Sequence, residues 1–160
     1  MTARRMGLWA AVTVAVMTVV VCNTAFAQDA TDEMPTLYER LGGLAPISVV
    51  VSDFIDAVVP DPLLNENPAI NAARDRVPAA YLKYHLTAMV CQATGGPCEY
   101  HGRGMKESHA HLNITETEWN RMVTLLQETL AKHKVPEKET NELLAIVAST
   151  KGAIVMTEGE

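Results

Sequence analysis

The residues best suited to metal or cofactor chemistry are histidines and cysteines in the second half of the chain. Cys98, His101, His109 and His111 lie close together in sequence, and His85 lies upstream of them. Thiolate and imidazole groups are ligands that zinc and copper prefer. One interpretation is therefore a zinc or copper site formed by the four clustered residues. Against it, residues two apart on a helix, such as His109 and His111, face in different directions.

Two cysteines, Cys91 and Cys98, stand seven positions apart around a Gly-Gly-Pro segment. In an oxidising compartment they can form a disulfide that closes this loop. A pair of free buried thiols is the alternative, because sequence does not show whether the side chains meet. The chain lacks a Cys-x-x-Cys-His motif, so covalent c-type haem attachment is not indicated. It also lacks the phosphate-loop, nucleophile-elbow, zinc-protease and dinucleotide-binding patterns.

The amino-terminal 27 residues are predicted to be a secretory signal peptide. Arg4 and Arg5 precede an apolar stretch that ends in Ala-Phe-Ala at 25–27, which is the typical order of such a peptide. The apolar stretch is shorter than the roughly 20 residues that a membrane-spanning helix needs. Cleavage after Ala27 predicts an exported protein, periplasmic or secreted, with no membrane attachment. An uncleaved membrane anchor is the alternative.

The composition of the 160 residues excludes several classes of protein. The formal charge of -6 becomes -8 after removal of residues 1–27, which argues against a nucleic-acid partner because phosphate contacts need clustered Lys and Arg. With 48% hydrophobic and 20% charged residues, the chain is too apolar to be disordered. We expect a flexible lead-in at 28–35 and a single domain at 36–160.

The spacing of apolar residues predicts an all-α fold without strands. Gly42-Gly43 should end a short first helix, and Thr115 with Glu118 forms a capping-box pattern before a long helix. Pro136 should open the last helix, whose apolar face extends to Ile154. Prolines, Asn and Asp predict an irregular connection at 60–78. The expected helices are at 36–41, 47–59, 79 to about 94, about 105–112, from 116, and from 136.

Several segments together resemble the group 1 truncated haemoglobins. They are LYERLGG at 37–43, VSDF at 51–54, GGP at 95–97, YHGRGMKESH at 100–109 and KVP at 134–136. The likeness extends over residues 36–155. It implies a truncated globin fold, in which helices pack two-over-two around a non-covalent haem b.

The resemblance also implies that His109 is the proximal ligand of the haem iron. Neutral imidazole is a strong ligand for this metal, and its other ring nitrogen can be oriented by a neighbouring acceptor. The expected small ligands are O2, NO or CO, as in oxygen binding or oxygen transport. His111, two residues further on, is expected to be a surface histidine.

The distal side departs from the family pattern. Phe54 is followed by Ile55, where relatives commonly have a tyrosine that hydrogen-bonds oxygen, and Leu82 and Leu86 stand where glutamine is frequent. His85 aligns with a position at which some relatives have a second iron-binding histidine. It would then be a distal haem-iron ligand; otherwise it points to solvent or to a haem propionate. Tyr81 and Tyr84 offer the hydrogen-bond donor that Ile55 lacks.

A mainly apolar pocket lining is expected, although the same residues would suit an ordinary core. Arg103 is expected either to pair with a haem propionate or to lie on the surface. The apolar candidates are Phe54, Ile55, Leu82, Leu86, Met89, Met105 and Leu112.

Three functions from different classes follow. The first is a haem protein that binds a diatomic ligand. The second is a redox or electron-transfer protein with bis-histidine iron and an electron-transfer partner, or an enzyme with nitric oxide dioxygenase or peroxidase-type activity. The third is a haem-free helical protein with a zinc or copper site. Fold likeness does not decide among reactions, so whether the chain is an enzyme stays open.

Overall fold

A computed structural model of the chain describes residues 34–156. The predicted signal peptide and most of the predicted lead-in lie outside the described residues. Over this range the chain is helical, and its one piece of β pairing is an isolated bridge between Ile114 and Val155. The all-α prediction is confirmed. The helices are α1 (Leu37–Arg40), α2 (Leu44–Val58), α3 (Pro62–Asn65), α4 (Pro68–Arg76), α5 (Ala79–Ala93), α6 (Met105–His109), α7 (Glu116–Lys132), α8 (Glu137–Ser149) and α9 (Lys151–Ile154).

The turn between α1 and α2 depends on two glycines. Thr36 and Glu39 form a capping box that starts α1. Gly42 and Gly43 have φ values of 89° and 83°, a left-handed conformation in which a side chain would be strained. The chain therefore ends α1 as predicted and starts α2 at Leu44, three residues earlier than the apolar periodicity suggested.

The prediction of an irregular connection at 60–78 is wrong, because this segment contains the two helices α3 and α4. Asp61 and Asn67 are their N-caps, and each is followed by a proline at the first helical position. Proline is favoured there, since its missing N–H would have no intrahelical partner and its φ is already helical. The residues that suggested a break in helical structure are therefore helix-starting residues.

The four longest helices pack in two layers, as expected for the two-over-two arrangement. Helix α2 packs against α5, α7 packs against α8, and α2 also contacts α7. The core lies between these helices, with Leu130 almost completely buried at 1% exposure. The buried core cluster consists of Ile47, Val51, Phe54, Ile55, Leu64, Leu125, Leu126, Leu130 and Leu143.

The carboxy-terminal helices differ slightly from prediction. Thr115 and Glu118 form the predicted capping box of α7. The last predicted helix is interrupted at Thr150, so that Ile154 belongs to the separate α9. The patch predicted at 105–112 is helical only as far as His109. No helix within residues 34–156 has the length and apolar character needed to span a bilayer.

Three ion pairs, formed by two arginines, join distant parts of the fold. The Asp61 carboxylate, which caps α3, accepts hydrogen bonds of 3.0 and 2.8 Å from the Arg121 guanidinium on α7. These bonds hold the pKa of the Asp61 carboxyl below its ordinary value. The Arg40 guanidinium bonds to Glu139 and Glu142 on α8. Burial of a carboxylate is costly without such a partner. The Asp61–Arg121 pair therefore stabilises the buried carboxylate and links the start of α3 to α7.

Candidate functional site

One large cavity, of about 1260 Å³, lies among the helices. Its walls are mainly aliphatic, and the helices that form them include α2, α4, α5, α6, α7 and α8. All seven residues predicted to form an apolar pocket lining border it, and so do the three predicted to bind iron or a propionate: Phe54, Ile55, Leu82, Leu86, Met89, Met105 and Leu112, with His85, Arg103 and His109. The fold thus gathers these residues around one space, although their roles toward a cofactor stay predictions.

His109 reaches the cavity from the end of α6 and is half-buried. Its Nδ1 lies 2.8 Å from the backbone oxygen of Met105. Because a carbonyl oxygen can only accept, Nδ1 must carry the proton in this hydrogen bond. The neutral ring then has its lone pair on Nε2, the form in which imidazole binds a metal.

The short helix α6 and the segment that follows it are held in place by contacts with α4, α9 and the end of the domain. The Nδ2 group of Asn67 donates to the backbone oxygen of Leu112 at 2.9 Å, while its Oδ1 caps the start of α4. Met156 N donates to the oxygen of Ile114 at 2.9 Å, and α6 packs against α9. These contacts compensate for the low intrinsic stability of a helix of five residues.

His85 lies on α5, half-buried, and borders the same cavity. Its ring centroid is 4.2 Å from that of Tyr81 and 5.1 Å from that of Tyr84. Within residues 34–156 neither of its ring nitrogens makes a hydrogen bond to protein. The side chain is therefore oriented by aromatic contacts rather than by a polar partner, and its nitrogens are available to a ligand.

The part of the cavity wall formed by Phe54 and Ile55 on α2 has no hydrogen-bond donor. Phe54 and Ile55 are 9% and 6% exposed and belong to the apolar core cluster. Leu82 and Leu86 on α5 add further aliphatic surface. Polar groups toward the cavity from α5 are instead those of His85 and Tyr81.

Cys91 and Cys98 form a disulfide with a Cα–Cα distance of 5.7 Å. Of the two readings that the sequence left open, the structure therefore has the bonded pair. Cys91 is fully buried at the end of α5, so the bond ties this helix to the segment that leads to α6. The Gln92 side chain adds a second tie by accepting a 2.6 Å hydrogen bond from Tyr100 N.

The proposed zinc or copper cluster is not assembled. The Cys98 sulfur is bonded to Cys91 and is not a thiolate ligand. His101 is 81% exposed and lies 3.5 Å from Glu99, and His111 is exposed at the edge of the cavity. Among the residues that the structure describes, no three His, Cys, Asp or Glu side chains are placed to hold a metal ion.

Two of the arginines that border the cavity, Arg74 and Arg103, are exposed to solvent. Neither forms a salt bridge with a residue in the described range, so both guanidinium groups are available to an anionic ligand. Arg103 was a sequence prediction. Arg74 was missed because it lies on α4, within the segment predicted to be irregular; the N-cap pattern Asn-Pro at 67–68 is the signal that would have revealed the helix.

The chemistry of the cavity fits a haem group. Its volume exceeds the roughly 300–1,000 Å³ typical of small-molecule sites, and its aliphatic walls suit a porphyrin. The neutral ring of His109 offers a nitrogen to iron, and Arg74 and Arg103 match the two carboxylates at the edge of haem.

Comparison with known proteins supports this fit. The family model of bacterial-like globins matches residues 36–156. The chain is 34% identical to a group 1 truncated haemoglobin of Nostoc sp. (strain MUN 8820) over 122 residues, which are 76% of this chain and 98% of that protein. It is 31% identical to the corresponding protein of Synechocystis sp. over 125 residues, covering 75% of this chain and 92% of the relative.

Solved structures agree on the architecture. The 2/2 haemoglobin of Synechococcus sp. PCC 7002, in the cyanomet state and with covalently attached haem, superposes with a TM-score of 0.63 at 26% identity; the match covers 73% of this chain and 94% of that one. The truncated haemoglobin of Tetrahymena pyriformis in its Fe(III) form gives a TM-score of 0.61 at 22% identity, covering 77% and 100%. The second likeness concerns the fold alone.

Proposed function

The chain belongs to the bacterial-like globin family, among the group 1 truncated haemoglobins, and on that premise we propose that it binds a non-covalent haem b and takes up O2, NO or CO at iron held by His109. Membership of the family implies haem binding in general. The ligand residues, the haem type and the bound gas are the further content of the proposal.

The single observation that supports His109 most strongly is the hydrogen bond from its Nδ1 to the Met105 oxygen. It orients the ring and keeps Nε2 as the metal-binding nitrogen. When bound, haem iron supplies an open coordination position for a diatomic ligand. The apolar side chains of Phe54, Ile55 and Leu86 would limit water in the cavity, while Arg74 and Arg103 would anchor the propionates.

Non-covalent attachment is favoured by the state of the cysteines. Cys91 and Cys98 are bonded to each other, so neither sulfur is free to form a thioether with a haem vinyl group. The Synechococcus structure has covalently attached haem, and we propose that this chain differs. Extraction of the pigment into acidified organic solvent tests the point: free haem b should leave the protein completely.

The test of the iron ligand is the absorption spectrum of the matured protein loaded with haem. We expect a Soret band that shifts when CO is added to the reduced protein. His109→Ala should lose stable haem binding, whereas His101→Ala, which alters an exposed histidine outside the cavity, should retain it. A normal spectrum in His109→Ala, or a colourless wild-type protein after haemin is offered, would contradict the proposal.

A second candidate function is redox chemistry at iron with two histidine ligands. It is supported by the position of His85 on the cavity wall without a hydrogen-bond partner in the described range. The reduced protein without CO should then show low-spin bands, and His85→Ala should convert them to high-spin bands and accelerate CO binding. A five-coordinate high-spin spectrum in the unaltered protein would exclude this role and leave ligand storage or oxidation chemistry.

We propose further that residues 1–27 are removed on export and that the domain at 36–160 functions in the periplasm or outside the cell. The disulfide supports this placement, because such bonds persist in oxidising compartments and are rare in the cytosol. Amino-terminal sequencing of the protein recovered from a periplasmic extract should begin at Gln28. Recovery of an uncleaved chain from the membrane fraction would support the anchor instead.

A further inference from the structure

A cluster of aromatic side chains surrounds His85 on α5. Three of the chain's four tyrosines belong to it. The ring centroids of Tyr81, Tyr84 and Tyr100 lie 4.2, 5.1 and 6.1 Å from that of His85. Such short separations allow electrons to pass between neighbouring rings. Tyr38, the fourth tyrosine, is not part of the cluster and can serve as a control.

The cluster extends from the cavity to solvent. His85, Tyr81 and Tyr100 border the cavity, whereas Tyr84 is 71% exposed and Tyr81 is 54% exposed as residues. Because residues three and four apart share one helix face, Tyr81, Tyr84 and His85 form neighbouring groups on α5. A continuous aromatic path thus joins the cavity wall to the surface.

The cluster is fixed by the loop that precedes α6. Tyr100 N donates to Gln92 Oε1 at 2.6 Å, and the Tyr100 hydroxyl donates to the oxygen of Arg103 at 2.9 Å. A Cβ at Gly102 would lie 2.1 Å from the Tyr100 hydroxyl oxygen, so a side chain at position 102 would displace the Tyr100 ring. The position of Tyr100 beside His85 is therefore built into the loop.

We infer that Tyr81 and Tyr84 form an electron-entry site, at which small phenols supply electrons to the haem centre when hydrogen peroxide is the oxidant. The inference rests on the proposed haem binding and specifies a reductant for it. Peroxide takes up two electrons and two protons, its O–O bond breaks, and two water molecules form. Each electron comes from a tyrosine, which also releases its hydroxyl proton. A phenol then returns one electron and one proton to each tyrosyl radical and leaves as a phenoxyl radical.

Exposure and protonation explain the preference for phenols. One-electron oxidation of a phenol to its phenoxyl radical releases the hydroxyl proton, and the exposed Tyr81 and Tyr84 can pass that proton to water. A phenol restores electron and proton together, and its ring can pack against an exposed aromatic ring. The site therefore suits a small aromatic reductant that never enters the cavity.

The test uses the full haem-loaded protein and peroxide without added phenol. Radicals on an exposed tyrosine then couple between two molecules, forming one carbon–carbon bond that gives dityrosine fluorescence and a covalent dimer on a denaturing gel. Mass spectrometry should map the cross-link to Tyr81 or Tyr84. The double variant Tyr81→Phe/Tyr84→Phe should form at least tenfold less dimer, and Tyr38→Phe should match wild type. Added phenol should suppress the dimer in wild type.

The outcomes separate this inference from the proposed function. The absorption spectrum is recorded before peroxide is added, and absence of a Soret band would overturn both. A normal haem spectrum followed by no dimer, by a cross-link at Tyr38, or by undiminished dimer in the double variant would overturn only the electron-entry site. Phenylalanine retains the ring at both positions, and an unchanged far-ultraviolet circular dichroism spectrum shows that the fold is preserved.

Discussion

Opening the Cys91–Cys98 disulfide should lower the free energy of unfolding by about 2.5 kcal/mol. The sulfurs join residues seven positions apart. In the chain-entropy treatment, closing a loop of about eight residues removes roughly 8 cal/mol/K from the unfolded chain, and this gives the stated value at 25 °C. For a domain of about 120 residues, such a loss lowers Tm by about 10 °C.

The assay is thermal unfolding of the haem-loaded protein, followed by far-ultraviolet circular dichroism with and without a phosphine reductant. Cys91→Ala/Cys98→Ser should unfold at the lower temperature under both conditions, which controls for effects of the reductant on iron. Haem concentration must be equal throughout, since bound ligand raises Tm. Coincident unfolding curves for oxidised and reduced wild type would refute the reasoning, because the loop would then not restrict the unfolded chain.

Three further changes test other contacts. Asp61→Asn should cost about 2 kcal/mol at neutral pH, because the charged hydrogen bonds from Arg121 are lost. The Asp61 pKa is lowered in the folded state, so this contribution is present above the ordinary value of 3.8 and disappears as pH falls through the folded-state pKa. The unfolding free energies of wild type and Asp61→Asn, measured by urea titration, should therefore converge in acid. A difference between them that does not change with pH would contradict the pairing. Ile55→Tyr should slow O2 dissociation about tenfold, because one hydrogen bond to the ligand contributes about 1.4 kcal/mol. Stopped-flow displacement of O2 by CO measures the rate, and an unchanged rate would show that the new hydroxyl does not reach the ligand. Arg103→Gln should speed haem transfer to an acceptor globin several-fold, whereas Arg76→Gln, which changes a residue outside the cavity lining, should leave the rate unchanged. Equal transfer rates for wild type and Arg103→Gln would show that Arg103 does not bind a propionate.

The helices with uninterrupted apolar periodicity could be predicted from the sequence. Helix α5 begins and ends within a residue of the expectation, and α7 starts at its capping box. Helices α3 and α4 could not, because Asp61-Pro62 and Asn67-Pro68 were interpreted as breaks. The same residue types end one helix and start the next. The packing of Leu64 into the core supports α3, whereas α4 has no buried residue.

The site was predictable as a set of residues but not as a geometry. The apolar candidates converge on one cavity because helical spacing places them on the inner faces of α2 and α5. The hydrogen bond of His109 to a backbone oxygen and the disulfide of Cys91 depend on tertiary distances that spacing does not encode. Tyr100 was missed as a neighbour of His85 for the same reason, since the two residues meet across the loop.

The acceptor that orients His109 belongs to the main chain, and this has a consequence for sequence variation. Any residue at position 105 other than one that unwinds α6 presents the same carbonyl oxygen to the ring. The backbone of this helical turn, and not a particular side chain, therefore determines which ring nitrogen of His109 carries the proton. Substitutions of Met105 should change the shape of the cavity wall at this residue, while Nε2 of His109 remains the unprotonated nitrogen that can bind a metal.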